Sequence, residues 1–336
     1  MATIRDISKL AGVSVTTVSR ALNHYDDVSP TTKQKIIEIA KEIGYVPNRS
    51  AQNLVKNQNN TLAIILSGLE KNGGKDNIIY RLLSGMYSYS ESVNYEVVLY
   101  TTSSAHQREK TYVQFCREHN IGGAVLNGIR LDDPYFKELV NSDLPCVLID
   151  IPAIGGNTSS ISIHNKQAAN DAVSYLIEQN HKHIGMINGH GEASVSLERY
   201  EGYVMALNKY KIEINEQYIV HADFQQNVAY EKTKQLLNKC PEITALFCAS
   251  DMMALGAMKA MKEMNLKIPD DISVIGFDDI PLAEFATPPL TTMEQDFYRM
   301  GEEAARQLLK MIKHEKTERN IFLEHNLIVR NSVRML

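Results

Sequence analysis

From Thr61 onward the chain repeats one grammar, a short apolar run and then a helical stretch, and few folds accommodate that repetition. LAIIL (62–66) reads as a buried strand, and Ile78, Leu82, Leu83 and Met86 follow at helical spacing. EVVLY, GGAVLN and CVLID are further strands, with helices near 111–119 and 135–140 between them. After Gly155, Gly156 and Asn157 a second series begins with ISIHN, HIGMING, YIVHAD, TALFCAS and SVIGFDD. Helices near 168–179, 196–210, 229–237 and 252–264 separate these runs. Such alternation predicts parallel sheets with helices on both faces, and two series predict two lobes of similar build. Ligands of such lobes belong at the carboxyl ends of the strands, in the cleft between them.

Ahead of the lobes, residues 3–23 (TIRDISKLAGVSVTTVSRALN) read as two short helices joined by a tight turn. Thr3 caps the first, with Asp6 as its acidic partner three residues on. Ile4, Ile7, Leu10 and Ala11 make the inward stripe, and Gly12 stands where the turn favours positive φ. Ser14 caps the second helix, whose buried face carries Val18, Ala21 and Leu22. Its outer face presents Thr16, Thr17, Ser19 and Arg20, short hydroxyls plus one forked cation, suited to phosphates and major-groove base edges. Val15, Thr16 and Arg20 are expected against bases, with Thr17, Ser19 and Asn23 closer to phosphates. Ser29 and Pro30 start a third helix whose Ile36, Ile37, Ala40 and Ile43 complete a small core. Helix pairs are common, so position and charge must decide. Residues 1–60 hold eight Lys+Arg against five Asp+Glu, net +3, whereas the whole chain is −5 from 35 against 40. The remainder therefore carries 27 against 35, or −8. A positive head on a negative body points the head at a polyanion.

This stretch, followed by GYVPNRSAQNL, closely resembles the headpiece and hinge of the lactose-repressor/galactose-repressor family of bacterial transcription regulators. The resemblance covers essentially the whole chain. It implies an all-α helix-turn-helix headpiece (1–46), a hinge helix or linker (47–60), and an α/β core (61–336) like a type I periplasmic binding protein. Three crossings would divide that core into a first lobe (about 61–160 and 291–322) and a second (about 161–290 and 323–336). NRSAQNLVKNQNN reads by composition as a linker. In the family this stretch folds as a short helix over the operator, which implies DNA contacts from Asn48, Ala51 and Leu54. Leu54 matches the leucine that wedges between base steps in the minor groove. With the headpiece, the expected DNA-binding set is Thr3, Ser14, Val15, Thr16, Thr17, Ser19, Arg20, Asn23, Asn48, Ala51 and Leu54. HNLIVRNSV is followed by no leucine heptad tail of the kind that makes some members tetramers. A homodimer on palindromic double-stranded operator DNA is therefore expected.

Polar strand ends supply a small-molecule site. Asn127 ends GGAVLN, Ser250 and Asp251 end TALFCASD, and Asp278 ends SVIGFD. Arg199 opens a helix in SLERYEGY, and Phe224 ends YIVHADF. Saccharides need this mixture, because Asp, Asn and Arg pair hydroxyls while an aromatic covers the C–H face. Each residue alone also fits a helix cap, a solvated strand end or, for Phe224, core. In the family, residues matching Asn127, Arg199, Ser250, Phe224 and Asp278 line the effector pocket. Ser250 departs from the asparagine of some sugar-binding members. Gln167, with His164, occupies another loop near the cleft where acidic residues are often found, which leaves room for a sugar other than lactose. Met252, Met253, Met258, Met261 and Met264 recur at helical spacing as core, with a share for a dimer interface.

An enzyme is poorly supported. Gly189-His190-Gly191 lacks the third glycine of a dinucleotide fingerprint, and no Walker loop, G-x-S-x-G elbow or H-E-x-x-H is present. His181 and His183 read as surface residues at a turn. Cys116, Cys146, Cys240 and Cys248 have no paired or metal-like spacing and read as buried thiols. No catalytic residue, cofactor or metal is expected. No apolar run approaches the roughly 18–20 residues of a membrane span. Arg5, Asp6 and Lys9 argue against a secretory signal, so a cytoplasmic protein is expected. The reading is a sugar-responsive repressor of a carbohydrate-utilisation operon, with a mono- or disaccharide effector. Two alternatives are a catabolite-control regulator modulated by a phosphocarrier protein, and a sugar-binding receptor or sugar-active enzyme. Arg199 argues against the first and the headpiece against the second.

Overall fold

A computed structural model describes residues 2–23, 25–45, 61–68 and 76–336. They belong to two units, Met1–Asn60 and Thr61–Leu336. The expected hinge contacts Asn48, Ala51 and Leu54 lie outside the described residues.

The first unit contains α1 (Ile4–Ala11), α2 (Val15–Leu22) and α3 (Pro30–Glu42). Hydroxyl caps start all three. Thr3 and Asp6 form a reciprocal capping box, Ser14 accepts the Thr17 N–H at 3.0 Å, and Ser29 accepts the Thr32 N–H at 3.3 Å. These bonds satisfy donors that a helix start leaves open. The hydrogen bonds from Thr3 hold the Asp6 carboxyl below its usual range. Gly12 takes φ 72° and sends its N–H to the Ser8 carbonyl, a left-handed cap that glycine adopts without strain. Lys35 of α3 reaches the Ala11 carbonyl at 3.1 Å, placing a cation at the end of α1.

Ile7, Ala11, Val18, Ala21, Val28, Ile36 and Ala40 form the head's core. Leu10 and Ile37, expected inside, are exposed. The α1 stripe is Ile4, Ile7 and Ala11, with Leu10 beyond its edge. In α3, Ile36, Ile39, Ala40 and Ile43 share one side, and Ile37 stands about 100° round from Ile36.

The second unit opens with β1 (Thr61–Ser67), α4 (Asp76–Ser92), β2 (Glu96–Thr102), α5 (Ser104–Glu109), α6 (Tyr112–Glu118) and β3 (Ala124–Asn127). Then come α7 (Pro134–Leu139), β4 (Cys146–Ile149), β5 (Thr158–Ile163), α8 (Asn165–Glu178), β6 (Ile184–Asn188) and α9 (Ser194–Lys209). β7 (Ile219–His221), α10 (Gln226–Lys239), β8 (Ala245–Cys248), α11 (Asp251–Glu263), β9 (Ser273–Asp278) and α12 (Pro281–Phe285) follow. The chain finishes with β10 (Thr291–Gln295), α13 (Phe297–Ile312), β11 (Asn320–Leu323) and β12 (His325–Ile328).

Two six-stranded sheets result, ordered β11-β5-β4-β3-β1-β2 and β12-β10-β9-β8-β6-β7. The orders correspond strand for strand, and all pairings are parallel except β12 against β10. Apolar residues cover both faces of β4, β6 and β8, as doubly covered parallel sheets require.

The chain passes between the sheets three times, after β5, after β10 and between β11 and β12. Two expected boundaries need correction. ISIHN, read as opening the second lobe, belongs to β5, which pairs with β4 in the first sheet. The Gly155-Gly156 break is a local loop, tied down by Thr158 Oγ1 donating to the Gly155 carbonyl at 2.9 Å. Thr291 onward, expected in the first lobe, instead forms β10, which pairs with β9, and the crossing comes at Asp296, which caps α13. α13 then packs against α4 in the first lobe.

His181, expected at the surface, is wholly buried. It bridges Thr244 Oγ1 (3.0 Å) and the Arg334 carbonyl (3.1 Å), and burial lowers its pKa. All four cysteines are buried. Met253, Met258 and Met261 are core, with Met252 and Met264 half-buried. Among the described residues no helix is long and apolar enough to cross a membrane, and no cluster of His, Cys, Asp and Glu could hold a metal ion.

Candidate DNA-reading face and inter-lobe site

On α2, Val15, Thr16 and Arg20 are exposed, while Thr17, Ser19 and Asn23 are half-buried. Local bonds explain the difference. Thr17 Oγ1 lies 2.8 Å from Ser14 Oγ, and Asn23 Nδ2 donates to the Ser19 carbonyl at 2.8 Å. Thr3 donates its hydroxyl to Asp6 at 2.7 Å. The Arg20 guanidinium pairs with Asp27 at 2.6 Å and lies over the Tyr25 ring, 5.2 Å from its centre. An exposed pair of this sort contributes about 0–1 kcal/mol. A bidentate contact with guanine gives roughly 1–3 kcal/mol of discrimination, so Arg20 can exchange one for the other.

In the second unit, Arg199 lies within α9, five residues past the helix start where it was expected, and is 2% exposed. Its Nε donates to Asn165 Oδ1 at 2.9 Å and its Nη1 to the Ala249 carbonyl at 2.6 Å. Asp278 Oδ1 stands 3.7 Å from Nη1, and the Phe277 ring centre 3.7 Å from Cζ. Gln295 Nε2 donates to the same Asp278 oxygen at 2.7 Å. Asn165 Nδ2 donates to Ser162 Oγ at 3.0 Å, and Ser162 Oγ to Asp150 Oδ1 at 2.7 Å. A continuous polar chain thus runs from β4 and β5 of the first sheet to β9 and β10 of the second. Burial pulls the Arg199 pKa down, with Asp278 and Asp150 opposing it, and burial pushes Asp150 up.

The turn bearing Asp278 is held from below. Asp278 and Asp279 have φ of 111° and 49°. Asp251, wholly buried at the start of α11, accepts the Ile280 N–H at 2.9 Å and the Thr292 hydroxyl at 2.5 Å. Burial, and then Asp278, drive the Asp251 carboxyl well above its usual range.

The remaining expected residues divide. Ser250 caps α11, its hydroxyl accepting the Met253 N–H at 3.3 Å. Phe224 lies three residues past β7 at φ 60°, its ring so close to Gly189 that any Cβ there would fall 2.1 Å from it. The first glycine of Gly-His-Gly therefore makes room for an aromatic ring. Asn127 ends β3, half-buried. Gln167 donates to Asp171 Oδ1 at 2.7 Å and, with Asp150, Glu198, Ser162 and Phe322, lines a cavity of about 610 Å³ beside β5 and β11. The lobes also meet where the Leu131 N–H donates to the Glu192 carbonyl at 3.0 Å and Arg130 Nη1 approaches His190 Nε2 at 3.3 Å.

The sequence pattern does not single out Asp150, Asn165 or Gln295. Asp150 ends CVLID as Asp278 ends SVIGFD, so the strand-end rule applied evenly finds it.

A helix-turn-helix head joined to two parallel-sheet lobes defines a DNA-binding transcription regulator of the effector-controlled type. Residues 3–48 match the lacI family of bacterial regulatory proteins, and residues 173–333 match a periplasmic binding protein-like domain. The HTH-type transcriptional repressor CytR of Escherichia coli K12 is 36% identical over 100% of this chain and 97% of its own. The chain belongs to the lacI family. Among solved structures, the lac repressor dimer bound to operator and the anti-inducer ONPF superposes with a TM-score of 0.87 at 27% identity, covering 99% of each chain. The transcriptional regulator CelR–cellobiose complex gives 0.75 at 30% identity, covering 99% of this chain and 100% of that one.

Proposed function

We propose that this chain is a cytoplasmic, non-enzymatic homodimeric repressor whose hold on a palindromic operator changes when a mono- or disaccharide occupies the inter-lobe site. The observation that carries the reading is the Arg199-centred polar chain that spans both sheets. A ligand hydroxyl joining it would couple sugar occupancy to the relative setting of the lobes. The kinship with a cellobiose-bound regulator supports a sugar. Val15, Thr16 and Arg20 would read bases, with Thr3, Ser14, Thr17, Ser19 and Asn23 ordering the head or meeting phosphates. Asn127, Phe224, Gln167, Ser250 and Asp278 would surround the effector with Arg199. For the dimer, exposed Tyr80 and Tyr87, seven residues apart on α4, Leu99 on the edge strand β2, and Leu282 and Phe285 on α12 offer apolar surface.

Gel shifts against genomic fragments and calorimetry with a panel of sugars test this. One fragment and one sugar should bind, and the sugar should change the affinity for the fragment. By linkage the fragment then changes sugar affinity by the same factor. Asp278→Asn should weaken the sugar at least about tenfold, since it removes a charge-assisted acceptor. Full retention of affinity moves the site elsewhere.

A further inference from the structure

Resting on the effector reading above, we infer that Arg130 and His190 form a clasp for one hydroxyl oxygen of the effector. The oxygen is received between a donor from each lobe.

The two residues come from loops that follow strand ends, where ligands of such lobes bind. Gly128 turns the first loop away from β3 at φ 75°, where a Cβ would fall 2.6 Å from the Ser67 carbonyl oxygen. Asn127, among the expected effector residues, ends that strand three positions before Arg130. The second loop leaves β6 at Gly189, against which the Phe224 ring packs, and His190 is the next residue. Each loop is fixed on its own lobe. Asp133, buried just ahead of α7, accepts the Arg130 N–H at 2.9 Å and the Ser104 hydroxyl at 2.6 Å. Asp132 stands 3.1 Å from Arg130 Nε, and Arg130 Nη2 donates to Ser104 Oγ at 3.3 Å. In the second loop the Gly189 carbonyl accepts a bond from His221 Nδ1 at 2.9 Å, and the Glu192 N–H donates to His190 Nδ1 at 3.0 Å.

That last bond fixes the tautomer. A ring nitrogen that accepts a backbone N–H carries no proton, so neutral His190 holds its proton on Nε2. Nε2 faces Arg130 Nη1 at 3.3 Å, and an arginine nitrogen can only donate. Two donors therefore meet across the cleft, and neither offers the other a lone pair. Reversing the tautomer moves the mismatch to the Glu192 N–H, and protonating the ring leaves both contacts mismatched. An oxygen beside the pair removes the conflict. Nitrogens 3.3 Å apart can both reach one oxygen at about 2.9 Å without moving. A sugar hydroxyl has two lone pairs for those donors and keeps its own proton to donate elsewhere. Arg130 supplies the charge-assisted half of the contact. The oxygen then belongs to both lobes, beside the bond from the Leu131 N–H to the Glu192 carbonyl at 3.0 Å. The closed arrangement thus gains a bond only when the effector is present, which is how a ligand shifts such an equilibrium.

Two measurements on the full-length protein test the clasp. Nitrogen NMR with isotope-labelled histidine, assigned through His190→Gln, should show Nδ1 bare and Nε2 protonated at about pH 7.5 without ligand. A proton on Nδ1 overturns the clasp at its base. Calorimetry then uses whichever of glucose, galactose, cellobiose, maltose and trehalose binds, together with its monodeoxy analogues. Arg130→Met and His190→Phe, at half-buried loop positions, should each weaken that sugar by several-fold to about tenfold. One monodeoxy analogue, lacking the hydroxyl that the clasp holds, should bind wild type weakly and be weakened no further by either substitution. Either variant decides alone if the other fails to fold. If the substitutions weaken every analogue by the same factor as the parent sugar, they act on the loops' fold and the clasp is overturned. Full affinity in both variants overturns it too, and leaves the effector site standing. If none of the sugars binds, the effector reading falls and takes the clasp with it.

Discussion

Arg20 and Arg199 are the same side chain in opposite settings, and the contrast separates the two units of this regulator. Arg20 lies on the surface of the head, paired with Asp27 at 2.6 Å, with about half of both side chains exposed. Arg199 is buried in the body among Asn165, Ala249, Phe277 and Asp278. The exposed pair has the shorter contact and the smaller energy, because water competes for both of its members. The buried one has longer ionic geometry, but removing it takes a charge-assisted partner from groups that are themselves buried. A group proposed to read DNA has to be released from its resting contacts, whereas one proposed to couple the lobes has to be fixed to both.

The largest expected effect comes from breaking the buried centre. Arg199→Ala removes the positive charge facing Asp278 and the donor to Asn165 Oδ1, and breaking a buried pair typically costs about 3–5 kcal/mol. Urea unfolding should show that loss in the body transition. Arg20→Ala should leave the same transition within about 0.5 kcal/mol, as surface substitutions do. Equal losses from both substitutions would erase the contrast.

Arg20→Ala should instead act on recognition. It is expected to reduce discrimination between the operator and single-base mismatches by roughly 1–3 kcal/mol, measured by competition gel shift. Unchanged discrimination would reduce Arg20 to a phosphate contact or a purely local partner of Asp27.

The same contrast governs how much the amino-acid order reveals by itself. The head's local determinants are legible in it because they act over three or four residues: Thr3 with Asp6, Ser14 with Thr17, Gly12 at the turn, and Ser29 before Pro30. The body's alternation of strands and helices is legible for the same reason. Its site is only partly so. Reading strand ends finds Asp278 of the polar chain, but that chain joins Arg199 to Asn165 across 34 positions and Asp278 to Gln295 across 17. Which carboxylate or amide completes such a chain depends on strand order, and no local pattern carries that. The lobe boundary slips likewise. Gly155 and Gly156 look like a break, and only the pairing of β5 with β4 shows a loop between neighbours. His181 and His183 share a turn in sequence, yet one is buried and the other exposed.

His181 extends the comparison to a neutral buried group, with a smaller effect. Burial lowers its folded pKa. Below the unfolded value of about 6.5 the unfolded chain takes up a proton that folded His181 resists. The unfolded state then binds more protons, so stability falls as pH drops through that range. His181→Asn should flatten the dependence of the urea midpoint between about pH 7 and 5.5. At neutral pH it should lose about 0.5–1.5 kcal/mol for its bond to the Arg334 carbonyl. An unaltered acid slope would assign the loss to other groups.

The smallest effect tests the exposed arginine from its partner's side. Asp27→Asn leaves Arg20 solvated, so no buried charge is stranded and stability should fall by less than about 1 kcal/mol. The substitution also removes a negative charge from the face proposed to meet phosphates, and it frees the guanidinium while Tyr25 still lies beneath it. Operator affinity should therefore rise modestly. The gain should be greatest at low salt and fade towards 1 M, as the screening length contracts from about 10 Å to about 3 Å. A fall in affinity would give Asp27 the opposite role. It would then hold Arg20 in the reading position, and the short contact in the free head would be preorganisation for the operator, sharing with Arg199 the property of being fixed in advance.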